Sequence, residues 1–254
     1  MPDKTGYIAV FDSGVGGISV LRELVRLMPQ ERYLYFGDSA NAPYGTRPTE
    51  QVRELTLAAA EKLMTRGIKA LVIACNTATA AAITQLRQCY PDTVVIGIEP
   101  ALKLAADHFP RARVGVLATP LTLREEKFAH LTERFPGMQV AAIPLPGLVE
   151  LIEDGSSAED MEAFLRSRLE SWAGKLDAVV LGCTHYPLVS GIIQKILGPE
   201  TVLLDGGKGT AEQTRRRLEQ AGLLWDGPGE ILMENSAADP EKIRLSRRLL
   251  EEGI

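Results

Sequence analysis

Short apolar runs alternate with longer amphipathic segments along almost the whole chain, a pattern typical of parallel α/β folds. The segment 49–66 has the period of a helix, and Pro48 before it and Gly67 after it are typical start and stop residues. The apolar runs predict strands over 7–11, 33–36, 70–74, 93–97, 113–118, 138–143, 177–182 and 201–205. The amphipathic segments predict helices over 17–28, 49–66, 77–89, 121–134, 157–173 and 210–221.

The predicted strands fall into two blocks of similar length. The boundary between the blocks is expected in the segment "GIEPA", 97–101, where a strand ends and Pro100 opens a helix. After the second block come a helix, a short strand over 230–234 and a final helix over 239–251. We expect these last residues to pack back on the first block.

The composition is that of an ordinary soluble chain. With 254 residues, it is long enough for one large domain or two smaller lobes, and 45% apolar with 24% charged residues excludes global disorder. The net charge of -5 and the pI near 5.4 argue against nucleic acid or an anionic membrane as the main partner. No apolar run has the length of a membrane span, and no leader precedes the first strand. We therefore expect a soluble, cytoplasmic protein.

The chain repeats one cysteine motif. Residues 70–79 ("ALVIACNTAT") align without a gap to residues 178–187 ("AVVLGCTHYP"), which places Cys75 and Cys183 at equivalent strand ends. Cys89 is the third cysteine, and it lies in a predicted helix with no polar motif beside it. The spacing predicts neither a disulfide scaffold nor a zinc site. A single strand-end cysteine is more often inert packing, but two with matching flanks favour a shared function.

Polar residues follow four of the predicted strands. In an open parallel sheet, ligands bind beyond the carboxyl ends of the strands. In this chain those ends are "FDSGVGG" (11–17), "YFGDSANAPYGT" (35–46), "ACNTAT" (74–79) and "GCTHYP" (182–187).

The first of these segments, "DSGVGG", has two interpretations. Its glycines allow close approach of a ligand, and the helix that follows favours an anion at its N-terminus. A phosphate loop is weakly supported, because neither the G-x-G-x-x-G nor the G-K-[ST] element is present. Alternatively, Asp12 is an N-cap in a tight turn.

The thiols have neighbours that bear on their reactivity. A helix N-terminus or a cationic neighbour lowers the pKa of a thiol, and both environments are expected here. His185 is placed to orient Cys183 or exchange protons with it, although a purely structural histidine is the alternative. Glu150 and Glu153 lie on a predicted helix within 147–155, where such carboxylates are usually solvated. Asp38 is either a loop cap or an acid of the site.

The pair of thiols suits the inversion of a carbon centre. Inversion needs a base on one face of the carbon and an acid on the other. Contact on each face implies sulfurs roughly 6–8 Å apart, with the carbon between them. A redox pair needs disulfide geometry, with Cα atoms about 4.4–6.8 Å apart. The repeated motif therefore favours a two-base racemase over a dithiol redox protein.

Together the motifs resemble the bacterial glutamate racemases of the aspartate/glutamate racemase superfamily. The resemblance rests on "FDSGVGGISV", "YFGDSANAPYGT", "ACNTAT", "GIEPA", "LGCTHYPL" and "NSAADPEK", in that order over almost the whole chain. It implies an enzyme that needs no cofactor and no metal and that interconverts L- and D-glutamate to supply D-glutamate for peptidoglycan. It also implies a homodimer and two similar α/β lobes, each a mostly parallel sheet flanked by helices. The lobes, 1–98 plus 209–254 and 99–208, would be related by a pseudo-twofold axis, with the site in the cleft.

The resemblance also implies roles for individual residues. Cys75 matches the base that acts on D-glutamate, and Cys183 matches the base that acts on L-glutamate. Asp12 and His185 match the catalytic partners of the first and second thiol. The positions that match substrate-binding residues are Asp12, Ser13, Tyr44, Gly45, Asn76, Thr77, Thr184 and His185. Asp38 and Glu153 match acidic residues of secondary importance.

The chain departs from the family pattern in two places. Asp205-Gly206-Gly207 stands where the family usually has Asp-Ser-Gly, so a hydroxyl is missing. The segment before Glu153 lacks the frequent Cys-Pro, so the choice of Glu153 over Glu150 is an expectation. The extension found in relatives that a cell-wall precursor activates is not present before the first strand, and we do not expect that regulation.

Other functions stay open. The nearest is aspartate racemase, since spacing does not define the length of the substrate. A protein that binds amino acids or another protein without catalysis is the alternative from a different class, and it would tolerate the loss of either thiol. Inhibition of DNA gyrase, known for some glutamate racemases, is compatible as a second role.

Overall fold

Two parallel sheets form the centre of the molecule in the computed structural model, which describes residues 3–98, 101–119, 122–123, 135 and 137–251. The first sheet has the order β4-β3-β1-β2-β9, and the second has the order β6-β5-β7-β8. The strands are β1 Tyr7–Asp12, β2 Arg32–Gly37, β3 Ile68–Ile73, β4 Val94–Gly97, β5 Arg113–Ala118, β6 Gln139–Pro144, β7 Ala178–Leu181, β8 Val202–Leu204 and β9 Glu230–Asn235.

Helices connect the strands and cover the sheets. In the described ranges they are α1 Ile18–Leu27, α2 Thr49–Met64, α3 Asn76–Cys89, α4 Leu102–His108, α5 Leu148–Glu153, α6 Ala158–Leu169, α7 Ser190–Leu197, α8 Gly207–Gln220 and α9 Pro240–Glu251. The helix predicted over 157–173 is shorter than expected, because α6 gives way to a 3₁₀ turn at Glu170–Trp172. The helix predicted over 121–134 lies outside the described residues except for 122 and 123, and residues 99 and 100 of the expected boundary also lie outside them.

The two sheets repeat one strand order. Four strands of the first sheet follow the order β4-β3-β1-β2, and the second sheet read in the same sense follows β8-β7-β5-β6. Cys75 follows β3 and Cys183 follows β7, so the two cysteines lie at equivalent strand ends. The predicted α/β fold with two similar lobes is confirmed. The division into lobes of 1–98 plus 209–254 and of 99–208 stays a prediction.

The central strands are buried on both faces, as parallel sheets covered by helices require. Each residue of β3, from Ile68 to Ile73, is buried, and in β1 only Tyr7 is partly exposed. At the other end of the chain, β9 pairs in parallel with β2, while α8 and α9 pack against α1. The C-terminal segment is therefore part of the first sheet and its helical layer.

Within the described part of the chain, every helix is too short or too polar to cross a bilayer.

Candidate active site

A small cavity lies where the carboxyl ends of the strands of both sheets meet. Its volume is about 30 Å³, room for only a water or two. Both thiols line it, one from each sheet. Other residues predicted from the sequence also line it, namely Ser13, Tyr44, Gly45, Asn76, Thr77, Thr184 and His185. The fold thus brings together positions that the sequence separates by more than a hundred residues.

Cys75 is the N-cap of α3. Its Sγ accepts the N–H of Ala78 at 3.4 Å and lies 3.5 Å from Ser13 Oγ. Burial and the nearby Asp12 carboxylate raise the pKa of the thiol to about 12, against the lowering effect of the two hydrogen bonds. The N-terminus of α3 lowers this pKa through the Ala78 N–H, as expected, but the net effect on Cys75 is a raised pKa. Desolvation disfavours the thiolate by more than the hydrogen bonds favour it.

Cys183 has a different partner. Its Sγ lies 3.7 Å from Nδ1 of His185, and Nε2 of the same ring lies 2.7 Å from Oε1 of Glu153. Burial lowers the pKa of His185, but its hydrogen bonds to Cys183 and Glu153 outweigh burial and leave that pKa well above the ordinary value. His185 is therefore a cation at neutral pH, next to the second thiol.

Glu153 carries the charge that balances His185. Burial raises the pKa of this carboxyl, but its polar partners outweigh burial and lower the pKa overall. These partners are His185, through its hydrogen bond and positive charge, the backbone N–H of Val15, and the positive charge of Lys242. The carboxylate accepts the Val15 N–H at 2.6 Å, so a residue of the second sheet's lobe is bonded to the loop after β1. Glu150 is exposed, lines the cavity, and makes no such contact with the imidazole in the described structure. The structure places Glu153, and not Glu150, against the imidazole, and the role expected for Glu153 stays a prediction.

Asp12 connects the two lobes. Its Oδ1 accepts the Gly14 N–H at 3.0 Å, and its Oδ2 accepts the Thr184 hydroxyl at 3.0 Å. Burial raises the pKa of this carboxyl, although the positive charge of His185 and both hydrogen bonds lower it. The side chain is fully buried and is not among those that line the cavity. The N-cap alternative is wrong, because α1 begins after Gly17 and has no side-chain cap.

The glycines of "DSGVGG" make room for side chains of the other lobe. A Cβ on Gly14 would lie 1.8 Å from Glu153 Oε1, and a Cβ on Gly16 would lie 2.4 Å from His185 Nδ1. The sequence predicted close approach of a ligand to this loop. In the structure the groups that approach this loop are the carboxylate of Glu153 and the imidazole of His185.

Asp38 supports Tyr44. The tyrosine hydroxyl donates to Asp38 Oδ2 at 2.6 Å, and Asn41 Nδ2 donates to the same carboxylate at 3.0 Å and 3.1 Å. Tyr44 itself lines the cavity, whereas Asp38 does not. Asp38 therefore holds the hydroxyl of a cavity-lining tyrosine and does not line the cavity itself.

Sequence reasoning missed part of the cavity lining. The missed residues are Thr119, Leu145, Pro146, Gly147 and Val149. Pro43, Thr46 and Gly182 also line the cavity and lie within the predicted strand-end motifs, and Glu150 lines it although Glu153 was chosen. Thr119 directly follows β5 and Leu145 directly follows β6. Applying the strand-end rule to every strand, including those without a polar motif, would have found these two residues.

Among the described residues, no three or more side chains of histidine, cysteine, aspartate or glutamate are grouped to hold a metal ion.

Comparison with known proteins gives consistent matches. Residues 8–214 match the family model described as Asp/Glu/Hydantoin racemase. The glutamate racemase of Clostridium botulinum (strain Alaska E43 / Type E3) is 45% identical over 256 residues, covering 99% of this chain and 99% of its own. The solved glutamate racemase from Thermus thermophilus, in complex with beta-chloro-D-alanine, is 38% identical with a TM-score of 0.82, over 99% of this chain and 96% of its own. The Escherichia coli glutamate racemase, in complex with L-glutamate and the activator UDP-MurNAc-ala, is 31% identical with a TM-score of 0.85, over 96% of this chain and 94% of its own.

Proposed function

The chain belongs to the Asp/Glu/Hydantoin racemase family, and we propose that it is a glutamate racemase with a two-base mechanism that needs no cofactor. The observation that carries this proposal is the pair of thiols. Cys75 and Cys183 come from equivalent strand ends of two sheets and line one cavity. Such a pair supplies an acid and a base for the two faces of one carbon.

The two cysteines have opposite roles in the reaction. In the enzyme form that reacts with L-glutamate, Cys183 is the base: its thiolate, 3.7 Å from Nδ1 of His185, takes the proton from the α-carbon. Cys75, kept as a neutral thiol by its raised pKa, donates a proton to the opposite face. One proton is gained by Cys183 and one is lost by Cys75, so the enzyme that releases D-glutamate is ready to run the reverse reaction.

The polar groups around the thiols suit an amino acid with two carboxylates. Asn76 and Thr77 lie in the first turn of α3, whose N-terminus favours an anion. Thr184 and Ser13 bring hydroxyl groups to the other sides of the cavity. We assign these side chains, with Tyr44, to substrate binding, and Asp12 to holding Thr184 in place.

The family includes racemases of both aspartate and glutamate. The relatives from Clostridium botulinum and Thermus thermophilus are glutamate racemases, which supports glutamate as the substrate. D-glutamate made in this way would supply peptidoglycan synthesis. We also propose a cytoplasmic location, as expected from the composition, and a homodimer, as expected from the family resemblance. Sedimentation of the purified protein tests the dimer.

A racemisation assay on the purified protein tests the proposal. After dialysis against EDTA and without pyridoxal phosphate, we expect full conversion of L-glutamate to the racemate, read by chiral chromatography. L-aspartate, run in parallel, is expected to react far more slowly. Activity that returns only on addition of zinc or pyridoxal phosphate would contradict the absence of a cofactor, and preference for aspartate would contradict the substrate.

Serine variants test the two thiols separately. Because serine is a far weaker acid than cysteine, Cys75→Ser and Cys183→Ser are each expected to lower racemisation by several orders of magnitude. Cys89→Ser is the matched control and is expected to be silent, since Cys89 is exposed at the end of α3. In heavy water, the product is expected to acquire deuterium at the α-carbon before the remaining substrate does. If either active-site variant stays within about tenfold of the unmodified protein, the two-base mechanism is wrong.

A further inference from the structure

Glu153 has contacts from both lobes and from the C-terminal helix. Its Oε1 accepts the Val15 N–H and lies beside His185 Nε2. Its Oε2 lies 3.4 Å from Ser39 Oγ and 3.4 Å from Lys242 Nζ. The two oxygens of one carboxylate therefore have different partners, and the lysine is on the oxygen that does not face the imidazole.

Lys242 contacts Glu153 at two points. Besides approaching the carboxylate, its ammonium donates to the backbone carbonyl of Glu153. That carbonyl belongs to the last residue of α5, where helical carbonyls have no partner within the helix and a cation is favoured. The lysine side chain is only 21% exposed. An ammonium with three donors thus fixes both the backbone and the side chain of one acidic residue.

The position of Lys242 is set by the packing of α9. The lysine lies in the first turn of this helix, and further along it Ser246 and Leu249 are buried. The guanidinium of Arg22, from α1, donates to the carbonyl of Leu249. Because α9 is held against α1, the ammonium reaches Glu153 from a fixed direction.

We propose that Lys242 is a positioning residue for racemisation: it holds Glu153 so that Oε1 stays against His185 Nε2 and the imidazole stays against Cys183. This inference rests on the proposed function, because it gives Lys242 a part in the step at Cys183. The terminal torsion of a glutamate is broad, so packing alone defines it poorly. Without Lys242, Oε2 loses its cation and keeps only the contact with Ser39 Oγ, so the carboxylate is held less firmly against the imidazole.

Arg244 supplies a matched control on the same helix. It is also a cation near the start of α9, but it pairs with Glu241, with Nε 3.0 Å from Oε2, and its side chain is 63% exposed. Replacing Arg244 removes one positive charge from α9 and leaves the contacts of Glu153 in place. The charged side chains that line the groove around Lys242 and Glu153 are Asp154, Asp239, Glu241, Arg244 and Arg248.

Three variants, Lys242→Met, Lys242→Arg and Arg244→Met, test the proposal with two measurements. The first is kcat and KM for both enantiomers of glutamate. The second is the solvent exchange of the His185 Nε2 proton in ligand-free protein labelled with ¹⁵N-histidine. The chain has three histidines, so loss of the signal in His185→Asn assigns it.

We expect Lys242→Met to lower kcat by about tenfold in both directions, to leave KM within about threefold, and to speed the proton exchange by about tenfold. In Lys242→Arg, kcat and the rate of proton exchange are expected to stay within about threefold of the unmodified protein. In Arg244→Met, both are expected to stay within about twofold of it. Thermal unfolding of each variant shows whether α9 stays docked.

Two results would overturn the proposal. One is a Lys242→Met variant with unchanged kcat and unchanged exchange. The other is an equal loss of kcat and of thermal stability in Lys242→Met and Lys242→Arg, which would make the lysine only an anchor for α9. If the unmodified protein fails to racemise glutamate, the proposed function is wrong. The exchange of the imidazole proton needs no turnover and still decides whether Lys242 holds Glu153.

Discussion

At the scale of single residues, two cysteines in equivalent positions have different surroundings. Cys75 is buried beside Ser13 and the Asp12 carboxylate, which keeps it a neutral thiol. Cys183 is buried beside the cationic imidazole of His185. In the proposed two-base mechanism one thiol holds the proton that is donated, and the surroundings of Cys75 favour it in that role.

The raised pKa of Cys75 predicts a loss of stability at alkaline pH. The unfolded chain releases this proton near pH 9, whereas the folded chain keeps it to about pH 12. The stability due to Cys75 is therefore complete below pH 9 and is lost as the pH rises towards 12. In the Cys75→Ser variant, the free energy of unfolding is expected to fall less steeply across pH 9–11, by up to about 1.4 kcal/mol per pH unit.

Urea unfolding at a series of pH values measures this difference. Cys89→Ser is the control and is expected to keep the slope of the unmodified protein, because Cys89 is exposed. Equal slopes for Cys75→Ser and the unmodified protein would show that Cys75 is not held protonated by the fold.

At the scale of elements, the loop between β1 and α1 is a docking surface for the other lobe. A side chain at Gly14 or Gly16 would force a shift, because carboxylate and imidazole atoms occupy its space. The Val15 N–H between them bonds Glu153, and Ser19 Oγ donates to the Thr184 carbonyl at 2.9 Å. The loop and the acid–base pair therefore position each other.

Gly16→Ala is expected to displace His185 and to lower racemisation by about a hundredfold. The added Cβ would meet the rigid imidazole at 2.4 Å, so the ring has to move away from Cys183. The measurements are kcat and thermal unfolding, with an expected destabilisation of about 1–3 kcal/mol from overpacking.

Gly191→Ala is the matched control for that variant. Gly191 lies in α7 with no atom within 4 Å of an added Cβ, so alanine is expected to leave racemisation unchanged and to stabilise the helix by up to about 1 kcal/mol. A Gly16→Ala variant as active as Gly191→Ala would mean that the loop does not determine the position of the imidazole.

At the scale of the whole molecule, the C-terminal segment returns to the first sheet, and the residues that lead into β9 hydrogen-bond there to a buried ion pair. Lys69 of β3 lies 2.6 Å from Glu31, and both side chains are almost fully buried. The lysine also donates to the carbonyls of Lys4 and Leu223, at 2.8 Å and 2.9 Å. One ammonium thus joins the start of the chain, the centre of the sheet and the segment that leads into β9.

Lys69→Met is expected to cost about 3–5 kcal/mol of stability, because it leaves Glu31 as a buried charge without its cation. The free energy of unfolding in urea is the measurement. Racemisation well below the melting temperature is expected to be unchanged, since neither residue lines the active-site cavity. The double variant with Glu31→Leu is expected to recover part of the loss.

A surface ion pair supplies the comparison. Lys208 lies 4.0 Å from Glu212 on α8, and both side chains are mostly exposed. Lys208→Met is expected to change stability by at most about 0.5 kcal/mol. Equal effects of Lys69→Met and Lys208→Met would show that the buried pair does not tie the segments together.

The amino-acid sequence alone determined the alternation of strands and helices, the matching strand ends and the two thiols. These features are local: a strand shows in a run of apolar residues, and a site at a strand end shows in the polar residues that follow it. The same reasoning identified Asp12, Thr184 and His185, which lie next to the glycine loop and the second thiol in the sequence.

Only the tertiary structure decided which of these groups meet. The pairing of His185 with Glu153 instead of Glu150 depends on the direction of a short helix, and the contact of Lys242 depends on the docking of α9. The high pKa of Cys75 depends on complete burial, which no stretch of neighbouring residues encodes. Desolvation and contacts between lobes arise among residues far apart in the chain, so they exist only once both sheets are packed.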